Sequence, residues 1–489
     1  MNDPNGLFYY NDEYHLYYQH NPFENKFGHL SWGHAVSKDL VNWEHLPVAL
    51  KEENNIMIFS GCIVVDYNNT SGFGKSDLPP VIAIYTGFLK GDGSQFQCLA
   101  YSNDNGRQWT KYKYNPVLDI NSNDFRDPKV FRYEPDNSWI MIVASAMENK
   151  LMFFSSPNLI EWKHISDFSY PEFKKIKWEC PDIFSLPVDN DTSKLKWVLF
   201  VSKLSDNIAT DTCSAYFVGE FNGKEFIVDE RFHSLLKSKK EASLDSGRDF
   251  YAAATWNNIS METGKTICIA WMNNWKYAER LPTSGWNGAM TIPRRLYLQS
   301  TETAFHIIQR PVEELKKLRG QLYSVSDTNI NGINSYLAAI PIIDIKHEFI
   351  LEISYNAGNV AGVELFNKSH VELKIEYDDR IKNISIDRNT GNKTVPADEF
   401  YKLQEAWLNA GGKLKLHVFL DSSSVEVFVN NGEAVMSSLF FPSCEEHFIR
   451  ITGNSIGTNI TLFNMWELKS IWRREKIEDS INSLEMDRI

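Results

Sequence analysis

Short apolar and aromatic runs alternate with polar residues along most of the chain, as in Leu7-Phe8-Tyr9-Tyr10, Tyr14-His15-Leu16-Tyr17-Tyr18 and Trp139-Ile140-Met141-Ile142-Val143. Gly, Asn, Asp and Pro punctuate these runs every ~8–12 residues. A period of two places successive side chains on opposite faces of a strand. Helical spacing is almost absent outside Val312–Leu318. The pattern predicts an all-β chain, built as a sandwich, barrel or propeller.

A weak internal repeat selects among these. Ser37-Lys-Asp-Leu-Val-Asn-Trp43 returns as Ser102-Asn-Asp-Asn-Gly-Arg-Gln-Trp109, then as Ser156-Pro-Asn-Leu-Ile-Glu-Trp162, with a looser echo at Phe221-Asn-Gly-Lys-Glu-Phe226. The closing aromatics are 66, 53 and 64 residues apart. A unit of about sixty residues suits a four-stranded propeller blade, and roughly 300 residues then supply five. A second series runs in phase with it: Asn2-Asp3-Pro4, Ser60-Gly61, Arg126-Asp127-Pro128, Glu179-Cys180-Pro181 and Arg248-Asp249-Phe250. If each marks the start of an inner strand, all five converge at one mouth of a central channel. After Ile292-Pro293-Arg294 the pattern changes to a connector and then to longer alternating strands, among them Phe349–Ile353, Val371–Tyr377, Lys413–Leu420 and Val425–Val429. The expected organisation is a five-bladed β-propeller over residues 1–300, a linker with a short helix over 301–323, a C-terminal β-sandwich over 324–471 and a charged tail over 472–489.

Composition narrows the function. The chain has 489 residues and a net charge of -13, and no basic run stands out, so a nucleic-acid partner is not expected. No stretch approaches ~18 consecutive apolar residues, so no membrane span is expected. Six scattered cysteines without a Cys-x-x-Cys pair indicate neither a zinc cage nor a disulfide scaffold. Asn-x-Ser/Thr triplets at Asn68, Asn190, Asn258, Asn367 and Asn383 arise readily in an Asn-rich chain and leave the compartment open.

Three acids, Asp3, Asp127 and Glu179, are expected at equivalent points of three repeats. A lone Asp-Pro is ordinary turn chemistry. Two copies in phase, with an acid in a third repeat, suggest converging carboxylates. Beside aromatic rings these suit glycoside cleavage, which uses one carboxylate as nucleophile or base and one carboxylic acid as proton donor. Tyr9, Tyr17, Tyr18, Phe27, Trp32 and Trp275 are candidates to stack on sugar faces, with packing between blades as the alternative for any single ring. The histidines His15, His20, His29, His34 and His45 lack zinc-type spacing and read as packing groups.

The motifs Met1-Asn2-Asp3-Pro4-Asn5-Gly6, Phe59-Ser60-Gly61, Phe125-Arg126-Asp127-Pro128 and Trp178-Glu179-Cys180-Pro181 resemble the signatures of glycoside hydrolase family 32, the invertases, exo-inulinases and levanases. The likeness continues through Tyr17-Tyr18-Gln19, Trp32-Gly33-His34, Gly247-Arg248-Asp249-Phe250-Tyr251, Trp271-Met-Asn-Asn-Trp275 and Ser424-Val425-Glu426-Val427-Phe428. It implies a propeller joined to a sandwich, and a retaining, exo-acting β-fructofuranosidase for sucrose and terminal fructosyl units of inulin or levan. By position, Asp3 is expected as nucleophile, Glu179 as acid/base and Asp127 as transition-state stabiliser. Asn2, Gln19, Phe27, Phe59, Ser60, Arg126, Asp249 and Trp275 are expected to bind substrate, with Cys180 helping set the environment of Glu179. Retention needs the two reacting carboxyls ~5–5.5 Å apart. No metal or organic cofactor is implied, and the oligomeric state is left open. Alternatives are a fructosyltransferase using the same triad, a sucrose-6-phosphate hydrolase, and a non-catalytic fructan-binding module. The resemblance also has departures. Cys62 stands where Ser is commoner, and Phe27 where relatives often carry Trp. The motif opens at Met1 itself, whereas relatives usually carry a Trp before it and upstream residues that help close the propeller. A truncated sequence would favour an extracellular location; otherwise the ring closes with fewer contacts and a cytoplasmic location is expected.

Overall fold

The computed structural model describes the chain except residues 76–77, 172–175, 205–211, 240–241, 260–263, 341–343, 390–392, 443–445, 455 and 472–489, so the expected charged tail and Cys444 lie outside the described residues. Strands dominate. The first three sheets are antiparallel and follow chain order, beginning with Pro4–Tyr10, Ile56–Val65 and Phe125–Tyr133. The fourth sheet has nine strands, and its two halves, opening with Lys177–Val188 and Tyr251–Thr255, are joined by one parallel bridge, Val188 to Leu298. Pairing therefore merges what the repeat predicts as a fourth and a fifth blade. Middle strands such as Ser31–Ser37 and Ser138–Ser145 are buried on both faces, and in the second this shows as the unbroken apolar run Trp139–Ala144.

The sequence repeat proves to be the turn between the third and fourth strands of a sheet. In Ser37–Trp43 the Asp39 carboxylate accepts from Val41 N (3.1 Å) and Asn42 N (2.8 Å), while the Trp43 indole donates to Leu40 O (3.2 Å). The same indole bond recurs from Trp109 to Gly106 O (3.1 Å) and from Trp162 to Leu159 O (3.1 Å). The accepting residues have φ of 60°, 78° and 65°, left-handed values that an Asx-type turn enforces.

The first strands lean on one another in a ring. Pro4–Tyr10 packs on Ile56–Val65, that strand on Phe125–Tyr133, then on Lys177–Val188, then on Tyr251–Thr255, and this last returns to Pro4–Tyr10. Asn257 ties the ring together. Its backbone pairs with Leu7 and Tyr9, and its amide donates to Ile63 O (2.7 Å) and Val130 O (3.4 Å). All five strands carry an irregularity of register, at Asn5/Phe8, Ile58/Gly61, Arg126/Lys129, Glu179/Asp182 and Tyr251/Ala254. Gly6, Asp127, Cys180 and Ala252 take φ between 47° and 64° at these points. Bulges of this kind re-aim side chains. Here they turn residues on either side of the bulge toward one end of the ring.

The C-terminal part forms a six-stranded and a five-stranded sheet enclosing one core that includes Phe349, Leu351, Leu416, Val427 and Phe463. Strands His347–Tyr355, Val371–Asp378, Lys413–Asp421 and Ser424–Val429 contain the expected ones. The expected linker is shorter than 301–323. Phe305–Pro311 pairs with Arg294–Ser300 inside the nine-stranded sheet, and Arg319–Asn329 already belongs to the six-stranded one. Between them lies the 3₁₀ helix Glu313–Leu318. Two α-helices, Glu230–Lys239 and Ile330–Leu337, escaped the sequence reading. Two buried arginines bind the halves of the molecule together. Arg294 meets Asp245 (2.8 Å) and Glu426 (2.6 Å), and Arg388 meets Asp249 (2.6 Å) and the Tyr277 hydroxyl (2.9 Å).

Candidate active site

A pocket of about 460 Å³ opens at the bulged end of the ring, a size suited to a small ligand. Asn2, Asp3, Gln19, Phe27, Phe59, Ser60, Arg126, Asp127, Glu179 and Trp275 line it, so ten of the eleven expected site residues meet there. Leu30, Gln95, Asp124, Leu204 and Glu279 complete the lining and carry no motif that would have announced them. Of the six candidate stacking rings only Phe27 and Trp275 reach the pocket, edge to face with centroids 5.7 Å apart. Tyr17, Tyr18 and Trp32 are buried between strands.

Asp249 does not reach the pocket. It is fully buried, one oxygen taken by Tyr277 and the other by Arg388 and Leu439 N. The bulge register explains this. The residue that matches Arg126 and Glu179 in the fifth strand is Tyr251, two positions beyond Asp249. These three equivalent residues on adjacent strands hydrogen-bond in a row. Arg126 donates to Glu179 Oε1 from Nη2 (2.7 Å) and Nε (3.1 Å), and the Tyr251 hydroxyl donates to Oε2 (2.5 Å). Asp3 and Asp127 stand before and after the equivalent positions, so the acids converge without being equivalent.

Each carboxyl is held. Ser60 Oγ donates to Asp3 Oδ2 (2.7 Å) and the Asn2 amide to Oδ1 (3.3 Å), while Gln19 N fixes the Asp3 carbonyl (3.0 Å). Asp127 accepts from Cys180 N (2.9 Å), and its own N–H is anchored on Thr86 Oγ1 (3.0 Å). The Cys180 thiol lies between Asp3 and Asp127, 3.6 and 3.5 Å from them, so its hydrogen bonds go to these acids and not to Glu179. Arg126 lies beside Asp127 in sequence yet bonds to Glu179, Asp124 and Gln95.

Burial pushes the Asp127 carboxyl up to about 7, against the pull of Arg126 and with help from the charges of Glu179 and Asp3. Burial likewise raises Asp3, only partly opposed by Ser60 and Asn2. Tyr251 is raised well above its ordinary value by burial and by Glu179, and stays a hydroxyl donor. Asp127 therefore retains a proton for part of the time near neutrality.

A stability test follows for Asp127. Its folded value lies above its unfolded one, so the associated stability is fully present below about pH 4 and is lost as pH rises through about 7. Asp127→Asn removes this titration. Its Tm relative to wild type is expected to rise steadily from pH 4 to pH 8 in thermal melts. A difference that stays constant over that range would show that Asp127 does not titrate there.

A carboxyl trio in a pocket with three aromatic rings, Phe27, Phe59 and Trp275, is equipped for glycoside cleavage, and comparisons with known proteins point the same way. The sequence model of the glycosyl hydrolases family 32 N-terminal domain matches residues 1–311, and that of the family 32 C-terminal region matches residues 314–467. A levanase of Bacillus subtilis is 38% identical, the alignment covering 96% of this chain and 69% of that protein. An extracellular exo-inulinase of Aspergillus niger is 33% identical, over 96% and 93% of the two chains. Among solved structures, exo-inulinase from Aspergillus awamori superposes with a TM-score of 0.86 at 30% identity, covering 96% of each chain. The β-fructofuranosidase of Schwanniomyces occidentalis complexed with fructosyl-erythritol gives a TM-score of 0.84 at 31% identity, over 96% and 95%. Matches that together run from residue 1 to residue 467 leave neither half of the molecule unaccounted for, and the chain belongs to glycosyl hydrolase family 32.

Proposed function

We propose that this glycoside hydrolase is a retaining, exo-acting β-fructofuranosidase that cleaves sucrose and terminal fructosyl residues of inulin or levan. The observation that carries this reading is the meeting of Asp3, Asp127 and Glu179, from three separate sheets, in one pocket with Ser60 bonded to Asp3. The ring of five inner strands supports the five-bladed propeller reading, with the six- and five-stranded sheets as the sandwich.

In the first step an Asp3 oxygen attacks C2 of the fructosyl unit. The bond from C2 to the leaving oxygen breaks, and Glu179 delivers its proton to that oxygen. In the second step Glu179 takes a proton from water, whose oxygen displaces Asp3 from C2. Asp127 grips fructosyl hydroxyls and is strongest when the ring flattens toward the oxocarbenium ion. Asn2, Gln19, Ser60 and Arg126 hold the fructosyl unit, and Phe27, Phe59 and Trp275 give it apolar walls. Tyr251 and Arg126 occupy both oxygens of Glu179 in the free enzyme, fixing its orientation.

Fructose release from sucrose, inulin and levan, combined with methanolysis of sucrose followed by NMR, tests both parts. Retention yields methyl β-fructofuranoside as the first product. First formation of the α anomer would reject the covalent route, and no fructose from any of the three substrates would reject the activity.

A further inference from the structure

The mouth of the pocket holds an acid that this chemistry leaves unused. Glu279 sits on the 3₁₀ turn Ala278–Arg280 and lines the same pocket as Asp3 and Glu179. Its side chain is exposed and makes no hydrogen bond or ion pair among the described residues. The turn beneath it is nonetheless fixed. Ala278 N bonds to Asn274 O (2.9 Å), the Asn287 amide to Ala278 O (2.9 Å), and the preceding Tyr277 is locked onto Asp249 (2.6 Å) and Arg388 (2.9 Å). Beside it stand Trp275 and the half-exposed Phe27.

Charge in the pocket is one-sided. Five carboxyl groups line it against one guanidinium, Arg126, four of whose five N–H groups are already engaged by Asp124, Gln95 and Glu179. Among the described residues no lysine or histidine lines it. With the fructosyl unit on the floor beside Asp3 and Ser60, the departing sugar must lie toward the mouth, next to Glu279.

We propose that Glu279 is a specificity-determining residue. It accepts hydrogen bonds from hydroxyls of a neutral departing sugar and turns away substrates whose departing sugar carries a phosphate. The assignment rests on the β-fructofuranosidase reading above. An unpaired carboxylate carried on a fixed turn offers acceptors that sugar hydroxyls satisfy. A phosphate brings about -1.5 to -2 charge at pH 7 into a pocket whose described lining offers one cation, the Arg126 guanidinium already paired with Asp124 and Glu179. Rejection by like charge is a common means of specificity.

The test compares kcat/KM for sucrose and for sucrose-6-phosphate in wild type, Glu279→Gln and Glu279→Lys, at low salt and at higher salt. Wild type is expected to prefer sucrose by ~100-fold or more at low salt, a preference that shrinks as salt screens the repulsion. Glu279→Lys should narrow the ratio at least ~10-fold, and Glu279→Gln by an intermediate factor. Unchanged ratios in both variants, or a wild type that cleaves both sugars equally well, overturn the assignment while leaving the fructosidase reading intact. No fructose from either sugar overturns the fructosidase reading and this assignment with it.

Discussion

Asp3→Asn is expected to fold like wild type and to turn over sucrose at less than about a hundredth of the wild-type kcat. The amide keeps an acceptor for Ser60, and the backbone bond from Gln19 N to the Asp3 carbonyl is untouched. On the proposed mechanism, what disappears is the carboxylate that would attack C2 and form the covalent fructosyl intermediate. A hundredfold loss corresponds to about 3 kcal/mol of barrier, more than a lost ground-state hydrogen bond supplies. Removing one acid from a buried trio should also relieve repulsion, so Tm near pH 7 should not fall. The measurement is kcat on sucrose alongside a thermal melt of each protein. A folded variant with more than a hundredth of wild-type kcat would remove Asp3 from the nucleophile's role.

Much of this arrangement could be read from the chain because it is written locally. The indole bonds of Trp43, Trp109 and Trp162 need a fixed run of residues, so the turn repeats in sequence as it does in space. Motif residues beside the bulges were found for the same reason. Long-range geometry was harder to read. Asp249 resembled its acidic counterparts, but the bulge of the fifth strand begins at Tyr251, and no local signal shows that Arg388, 139 residues away, claims the carboxylate. Glu426, part of a sandwich motif, likewise finds its reason in Arg294, 132 residues earlier. The helix Ile330–Leu337 is hidden because its stripe of Ile330, Ile333 and Leu337 is short and its first turn contains Gly332. Glu279, Asp124 and Gln95 lie outside every motif and join the pocket only through folding. The Asp249–Tyr277–Arg388 brace still bears on the site, since Tyr277 adjoins the turn that presents Glu279.

Glu179→Gln separates proton delivery from positioning. On sucrose the departing alkoxide needs a proton, and general-acid assistance typically contributes ~10²–10⁴-fold, so kcat/KM should fall by that much. On a β-fructoside with an acidic phenol as leaving group, little proton assistance is required, and the loss in the first step should be far smaller. The second step still lacks its base, so the fructosyl-enzyme should accumulate and give a burst of phenol before a slow steady state. Gln keeps an acceptor for Arg126 or Tyr251 but not the charge that pairs with the guanidinium, so some loss from altered positioning is expected on both substrates alike. The difference between the two losses therefore isolates the acid function. Equal losses on the two substrates would assign the proton to another group, and Asp127, pushed up to about 7, would be the first to examine.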